Sequence, residues 1–238
     1  MSSKRCGVLR MSEDIVEKQR RFYLEKFKKY QDAPQSLSYN DRVTQYVRFE
    51  MLNRLFRHED EEHSFSVHEI GSGLAHYYEF LKERTRYQVE YSGSEVVEEF
   101  IRRTAEKHPF LKIFHRDITQ DIPEDRYDYL VLSGTFNPIQ DVEKDRWNSF
   151  VERMILNMFK MARKGIGMNF LTGYSDFSEK ALYYCDPRDL YDFIQRNLSR
   201  YFIIDNSYPL YEFTVLVYRS EFIQEIYQEK EFQKYFKK

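Results

Sequence analysis

Residues able to do chemistry stand in four places, the first being Val67-His68-Glu69-Ile70-Gly71-Ser72-Gly73-Leu74-Ala75-His76-Tyr77-Tyr78. A buried-strand pattern breaks there at two glycines and passes straight into an amphipathic helix pattern. Such a corner lets backbone approach a bound molecule, and the N–H groups that open the next helix face its polar atoms. The second place is Glu95, 22 residues after Gly73 and just beyond a second expected strand. A carboxylate there can accept from both hydroxyls of a ribose, one on each oxygen. Third, Asp117-Ile118 follows a third expected strand, where a carboxylate suits an exocyclic amine. Fourth, Ser133-Gly134-Thr135-Phe136-Asn137 follows a fourth, its small residues permitting close approach while Phe136 can pack against a ring.

Each feature has a plainer reading. The glycines could make only a tight corner, Glu95 could complement a helix dipole, and Asp117 could close an Asx turn. Their succession at strand C-terminal ends, where open α/β sheets bind ligands, favours a cofactor site. The dinucleotide fingerprint asks for a third glycine where this chain has His76, which weighs against a nicotinamide.

The elements that must position these residues follow from periodicity and turn signals. A helix is expected over Ser12–Tyr30, with Ser12 as its cap, then a turn at Asp32–Ser36. A second helix starts near Asn40-Asp41 with Val43, Val47, Met51, Leu55 and Phe56 on one face. Strands are expected over 65–70, 87–92, 111–115, 127–132, 165–171, 201–204 and 213–218. Helices over 74–84, 95–107 and 144–162, and one entered at Asp186-Pro187, alternate with them. The helix at 95–107 is expected to bury Val96, Val97, Phe100, Ile101 and Ala105. Such alternation implies a mostly parallel sheet. Only eight residues separate Ile204 from Phe213, too few for a crossover, so the last two strands must pair antiparallel. A single C-terminal helix is expected over Glu221–Lys238, with Phe222, Ile223, Ile226 and Tyr227 packing and Lys237-Lys238 at its end.

At 238 residues the chain suits one α/β domain with appendages: a helical lid over 1–60, a cofactor-binding body over 61–220 and a C-terminal helix over 221–238. The mean hydropathy of −0.72 and the lack of a long apolar run argue for a soluble protein, and no secretory pattern opens the chain. Cys6 and Cys185 offer neither a disulfide framework nor metal-ligand spacing, so no metal is expected and a reducing, cytoplasmic setting fits. A net charge of −2 gives no global attraction to phosphate backbones, so the 20 Tyr and 20 Phe read as core and pocket lining.

On these motifs the sequence resembles the class I S-adenosylmethionine-dependent methyltransferases, small-molecule members above all, over roughly residues 36–219. Glu69, Gly71, Ser72 and Gly73 match that family's first-strand motif, Glu95 its ribose acid, and Asp117-Ile118 its adenine side. Ser133 and Gly134 match its fourth-strand motif, and Ala75 departs where many members carry a third glycine. The resemblance implies a Rossmann-like, mostly parallel seven-stranded sheet with a terminal antiparallel strand and an N-terminal helical lid. It implies S-adenosylmethionine as cofactor, S-adenosylhomocysteine as product and in-line transfer of a methyl group. A lid of that family lends an aromatic and an arginine to the cofactor's methionine end, roles open here to Tyr39 and Arg48, with Gln45 between them.

No general base stands out. His76, His115, Tyr174 and Tyr208 are the candidates, His115 being expected to point into the fold. Segments 169–174, 182–186 and 206–211, rich in Tyr, should shape the acceptor pocket and suit a small, partly polar organic acceptor methylated at oxygen or nitrogen. A nucleic-acid amino-methyltransferase would need an Asn/Asp-Pro-Pro-aromatic loop where this chain has Asn137-Pro138-Ile139-Gln140. A protein or peptide methyltransferase and an inactive partner module of the same fold remain as alternatives. The sequence leaves the oligomeric state open.

Overall fold

The computed structural model describes residues 2–176 and 178–236, with side chains described from residue 14 onward. The Cys6 side chain and Lys237-Lys238 lie outside the described residues. A central sheet carries strands β1 (Phe65–Ile70), β2 (Val89–Glu95), β3 (Lys112–His115), β4 (Tyr127–Leu132), β5 (Ala162–Thr172), β6 (Tyr184–Cys185), β7 (Phe202–Asp205) and β8 (Glu212–Tyr218). Their order is β3-β2-β1-β4-β5-β8-β7, with the two-residue β6 pairing β5 as an eighth strand that periodicity did not reveal. The β1–β5 pairings are parallel, whereas β8 runs antiparallel to both β5 and β7, as the short 206–211 connection requires.

Helices α1 (Ser2–Tyr30), α2 (Arg42–Asn53), α3 (His76–Arg84), α4 (Glu98–Lys107), α5 (Lys144–Met161), α6 (Pro187–Asn197), α7 (Ser220–Ile226) and α8 (Gln233–Phe236) flank the sheet. Strand side chains alternate between its two faces. Ile70, Leu130, Leu132, Ile166 and Met168 pack with α5 and α6 on one face. Val67, Tyr129, Val131 and Leu216 pack with α2, α3 and α7 on the other. A smaller cluster joins α1 to α4 through Phe27, Leu74, Val97 and Phe100. No helix among the described residues is long and apolar enough to cross a membrane.

Several local expectations are corrected. Ser12 lies inside α1 rather than capping it. Asp41 caps α2 by accepting from the Thr44 N–H at 2.8 Å, but the helix buries Gln45, Tyr46, Phe49, Met51 and Leu52 while Val43 faces solvent, 75 % exposed. Strand β2 runs three residues further than expected, because Gly93 and Ser94 continue in register beside Glu69 and Ile70. In α4 the inward position is Thr104, not Ala105. His115 lies exposed at the end of β3, not turned into the fold. The C-terminal helix is two short pieces, and Tyr227 at the end of the first is 40 % exposed.

Candidate functional site

The turn after β1 is built by conformation as much as by composition. Gly71 sits at φ +68° and Gly73 at φ +53°, both in the left-handed region that L side chains rarely adopt. A Cβ on Gly71 would lie 2.5 Å from Thr135 Oγ1, so the strand-end loops after β1 and β4 touch only because that atom is missing. The Gly71 and Ser72 N–H groups both donate to the Ser94 carbonyl, at 2.8 and 3.1 Å, stapling this turn to the end of β2. Ala75 is also left-handed, at φ 58° and ψ 31°, which explains physically why a third glycine is favoured there.

Glu95, the last residue of β2, is 5 % exposed. Its Oε2 accepts from the Gly73 N–H at 2.7 Å, and its Oε1 from the Val96 and Val97 N–H groups at 2.7 and 2.9 Å. Burial raises its pKa, while these backbone donors pull the other way. Glu69, one strand away, donates nothing when ionised and accepts from the Tyr91 hydroxyl. Burial pushes its carboxyl up to about 8, the Tyr91 bond opposes that rise, and the nearby Glu95 charge adds to it.

Two adjoining cavities run along this edge. One is lined by Glu69, Gly71, Ser72, Glu95, Ser133 and Thr135 from the strand ends and the turns after them, by Gln19, Gln45 and Phe49 from α1 and α2, and by Tyr39 from the segment between those helices. The other is lined by Asp117, Ile118, Phe150 and Met154, and shares Gln19, Gly71, Glu95, Val96 and Thr135 with the first. Asp117 Oδ1 is taken by the Thr119 N–H at 2.8 Å and hydroxyl at 2.7 Å, whereas its buried Oδ2 has no partner. Ser72 Oγ is likewise buried and unpaired. A polar rim with unmet hydrogen-bonding capacity beside apolar walls fits a nucleoside-bearing ligand.

A sequence relative and two folds now place the molecule. Over 156 residues, 64 % of this chain, it is 33 % identical to "Putative methyltransferase Rv1506c" of Mycobacterium tuberculosis, covering 92 % of that protein. The chain belongs to the class I S-adenosylmethionine-dependent methyltransferases. Its fold is similar to that of the DhpI-SAM-HEP complex, with a TM-score of 0.58 at 13 % identity over 85 % of this chain and 96 % of that one. It is also similar to magnesium protoporphyrin IX methyltransferase from Synechocystis PCC 6803, with a TM-score of 0.53 at 14 % identity over 75 % and 81 % of the two chains. No family model matches the sequence.

The remaining candidate residues of this methyltransferase fall into distinct settings. Tyr39 is 6 % exposed, and its hydroxyl donates to Ser133 Oγ at 2.8 Å. A Cβ on Gly134, at φ +71°, would come within 3.1 Å of the same tyrosine oxygen. Arg48 stands behind Tyr39, its guanidinium carbon 5.2 Å from the ring. Its fork is closed on Glu212, with Nη2–Oε1 at 2.6 Å and Nε–Oε2 at 2.7 Å, and it lies outside the lining of both cavities. His76 is buried, its Nδ1 3.1 Å from Gln45 Nε2, and burial lowers its pKa. Tyr208 bonds Thr214 Oγ1 at 2.9 Å, and burial raises its pKa. Tyr174 is 65 % exposed on the loop after β5 and lines neither cavity.

Gln19 and Tyr23 of α1 and Val96 also line the cavities and were not assigned to the site from sequence. A signal existed for Gln19. It falls four residues after Ile15 and eight before Phe27, both buried, so it is a polar break in an apolar stripe. Its Nε2 donates to the Pro138 carbonyl at 2.5 Å, and its buried Oε1 has no partner.

Proposed function

We propose that this methyltransferase uses S-adenosylmethionine to methylate an oxygen or nitrogen of a small organic acceptor. One observation carries the cofactor reading: Gly71, Glu95 and Asp117, with its unpaired Oδ2, line two adjoining cavities at the C-terminal ends of β1–β3, and the Gly73 N–H is held on Glu95 beside them. Solved relatives in fold were crystallised with S-adenosylmethionine or S-adenosylhomocysteine bound, which supports the same reading. In the proposed assignment Glu69, Gly71, Ser72, Gly73, Ser133, Gly134 and Tyr39 hold the amino-acid end of that cofactor. Glu95 holds the ribose, and Asp117 and Ile118 hold the adenine.

The cofactor supplies a methyl group already activated on a sulfonium. The chain's own residues then align and enclose the reactants, work that accounts for roughly 7–11 kcal/mol of a barrier in well-oriented systems. Glu95 does this as a rigid acceptor, fixed by three backbone donors. We propose that α1 and α2, within residues 1–60, act as a lid of the 61–220 body. Tyr39 latched to Ser133, and Gln45 beside His76, would exclude water from the groove. Arg48, facing Glu212, is proposed to position that lid.

The acceptor size is tested by incubating the protein with methyl-labelled S-adenosylmethionine and cell extract, then separating products by ultrafiltration. Label in the small-molecule filtrate is the expected result. Label confined to protein or nucleic acid would overturn the small-molecule reading.

A further inference from the structure

The row of side chains next to the cofactor groove contains one polar group that the fold leaves unanswered. Ser133 stands one residue beyond Leu132, which pairs with Met168, so Asn169 lies beside Ser133 on the neighbouring strand. Asn169 in turn pairs directly with Thr214 of β8. A Cβ on Gly167 would meet Leu52 of α2, so side chains two residues on, at 169, rise from the same face toward that helix. Ser133, Asn169 and Thr214 thus form a polar floor beneath α2, with neighbouring strands about 4.8 Å apart.

The outer two members of the floor are satisfied. Ser133 accepts from Tyr39, and Thr214 bonds Tyr208. Asn169 is 2 % exposed, yet neither its Oδ1 nor its Nδ2 has a partner. A carboxamide so placed has both donor and acceptor capacity unmet, a condition folded proteins rarely tolerate without a ligand or ordered water. Ser133 lines the groove and Asn169 stands one strand beyond it, past the end assigned to the cofactor's amino acid.

The charge balance narrows what would fit. Arg48 and Glu212, with side chains 12 % and 1 % exposed, close on each other at 2.6 Å. Their charges cancel, so a second buried ion brought to this floor would find no free counter-charge from them. Tyr39 packs edge-on against Phe49 with ring centroids 6.2 Å apart, and the Tyr208 hydroxyl is held on Thr214, so the rings beside the floor bring it no charge.

We propose that Asn169 positions the methyl acceptor, and that the acceptor is a neutral molecule presenting a hydroxyl or amide able both to donate to and accept from its carboxamide. This rests on the methyltransferase reading and adds the acceptor's class to it. The result also explains why the polar floor continues past the groove instead of giving way to apolar packing.

Three probes of one shape test it: benzamide, benzoate and benzylamine, titrated by NMR into protein saturated with S-adenosylhomocysteine at pH 7. Benzamide is expected to bind at least tenfold more tightly than either ion. Asn169→Leu should lose benzamide binding at least tenfold while its affinity for S-adenosylhomocysteine stays within twofold of the parent. Asn169→Asp should move the preference to benzylamine, a change that a purely structural asparagine would not produce. Failure of benzamide to bind, equal binding of benzoate, or unchanged benzamide affinity in Asn169→Leu overturns the proposal. Failure of the folded parent to bind S-adenosylhomocysteine would instead overturn the methyltransferase reading beneath it.

Discussion

Replacing Arg48 by methionine removes one half of the enclosed ion pair that joins α2 to β8. The partner, Glu212, has a side chain 1 % exposed and faces the guanidinium through Nη2 at 2.6 Å and Nε at 2.7 and 2.9 Å. Deleting one partner of such a pair leaves an uncompensated buried charge and costs about 3–5 kcal/mol. Replacing both partners by neutral groups of similar volume is often nearly neutral. Glu212→Gln alone should therefore also be costly, since it leaves the Arg48 cation without its counter-charge. The double variant Arg48→Met/Glu212→Gln should cost at least about 3 kcal/mol less than the sum of the two singles. Urea unfolding of the four proteins, read from midpoints at constant slope, measures this coupling. Additivity within about 0.5 kcal/mol would refute the claim that these two groups depend on each other. The same double variant asks what Arg48 does for the ligand. If it acts by positioning the lid, S-adenosylhomocysteine affinity should fall less than about threefold, and a far larger loss would mean direct contact.

Ala75→Gly should stabilise the protein by up to about 1 kcal/mol, because it relieves the left-handed φ of 58° while adding freedom to the unfolded chain; a lower thermal midpoint would contradict it. Glu95→Gln should weaken S-adenosylhomocysteine binding by about 1.5–3 kcal/mol, the range for hydrogen bonds to a charged group, and calorimetry giving parental affinity in a folded variant would remove Glu95 from the site. Glu69 has a carboxyl raised from 4.5 to about 8, so the folded state holds a proton that the unfolded chain releases. Its contribution to stability is therefore lost as pH rises between those values. Glu69→Gln should flatten that decline in thermal midpoint, and parallel curves for variant and parent would contradict it.

The ends of β1 and β4 agree with the sequence reading because each is a short apolar run closed by a turn, and both are buried in the sheet's centre. The antiparallel last pair was legible from chain length alone. What escaped was set by tertiary neighbours. Ser92-Gly93-Ser94 has weak strand character, yet pairing with β1 and β3 carries β2 through it to Glu95, which places the acid at the strand end and not beyond it. Of the face expected for the second helix, Met51, Leu55 and Phe56 are buried, but Val43 faces water and Gln45 takes an inward place against His76. The glycine pair, Glu95 and Asp117 could be found by spacing. Gln19 left only a polar break in an apolar stripe, and Asn169 only a place in a segment expected to shape the acceptor pocket, because what the first faces depends on how α1 docks and what the second faces on how β5 and β8 align.

Calorimetric titration of the purified protein with S-adenosylhomocysteine, with NADH as a parallel control, tests the central claim most directly. Saturable binding of S-adenosylhomocysteine alone is the expected result. A folded protein that binds neither ligand, or binds NADH instead, would contradict the assignment of Gly71, Gly73, Glu95 and Asp117 to an S-adenosylmethionine site.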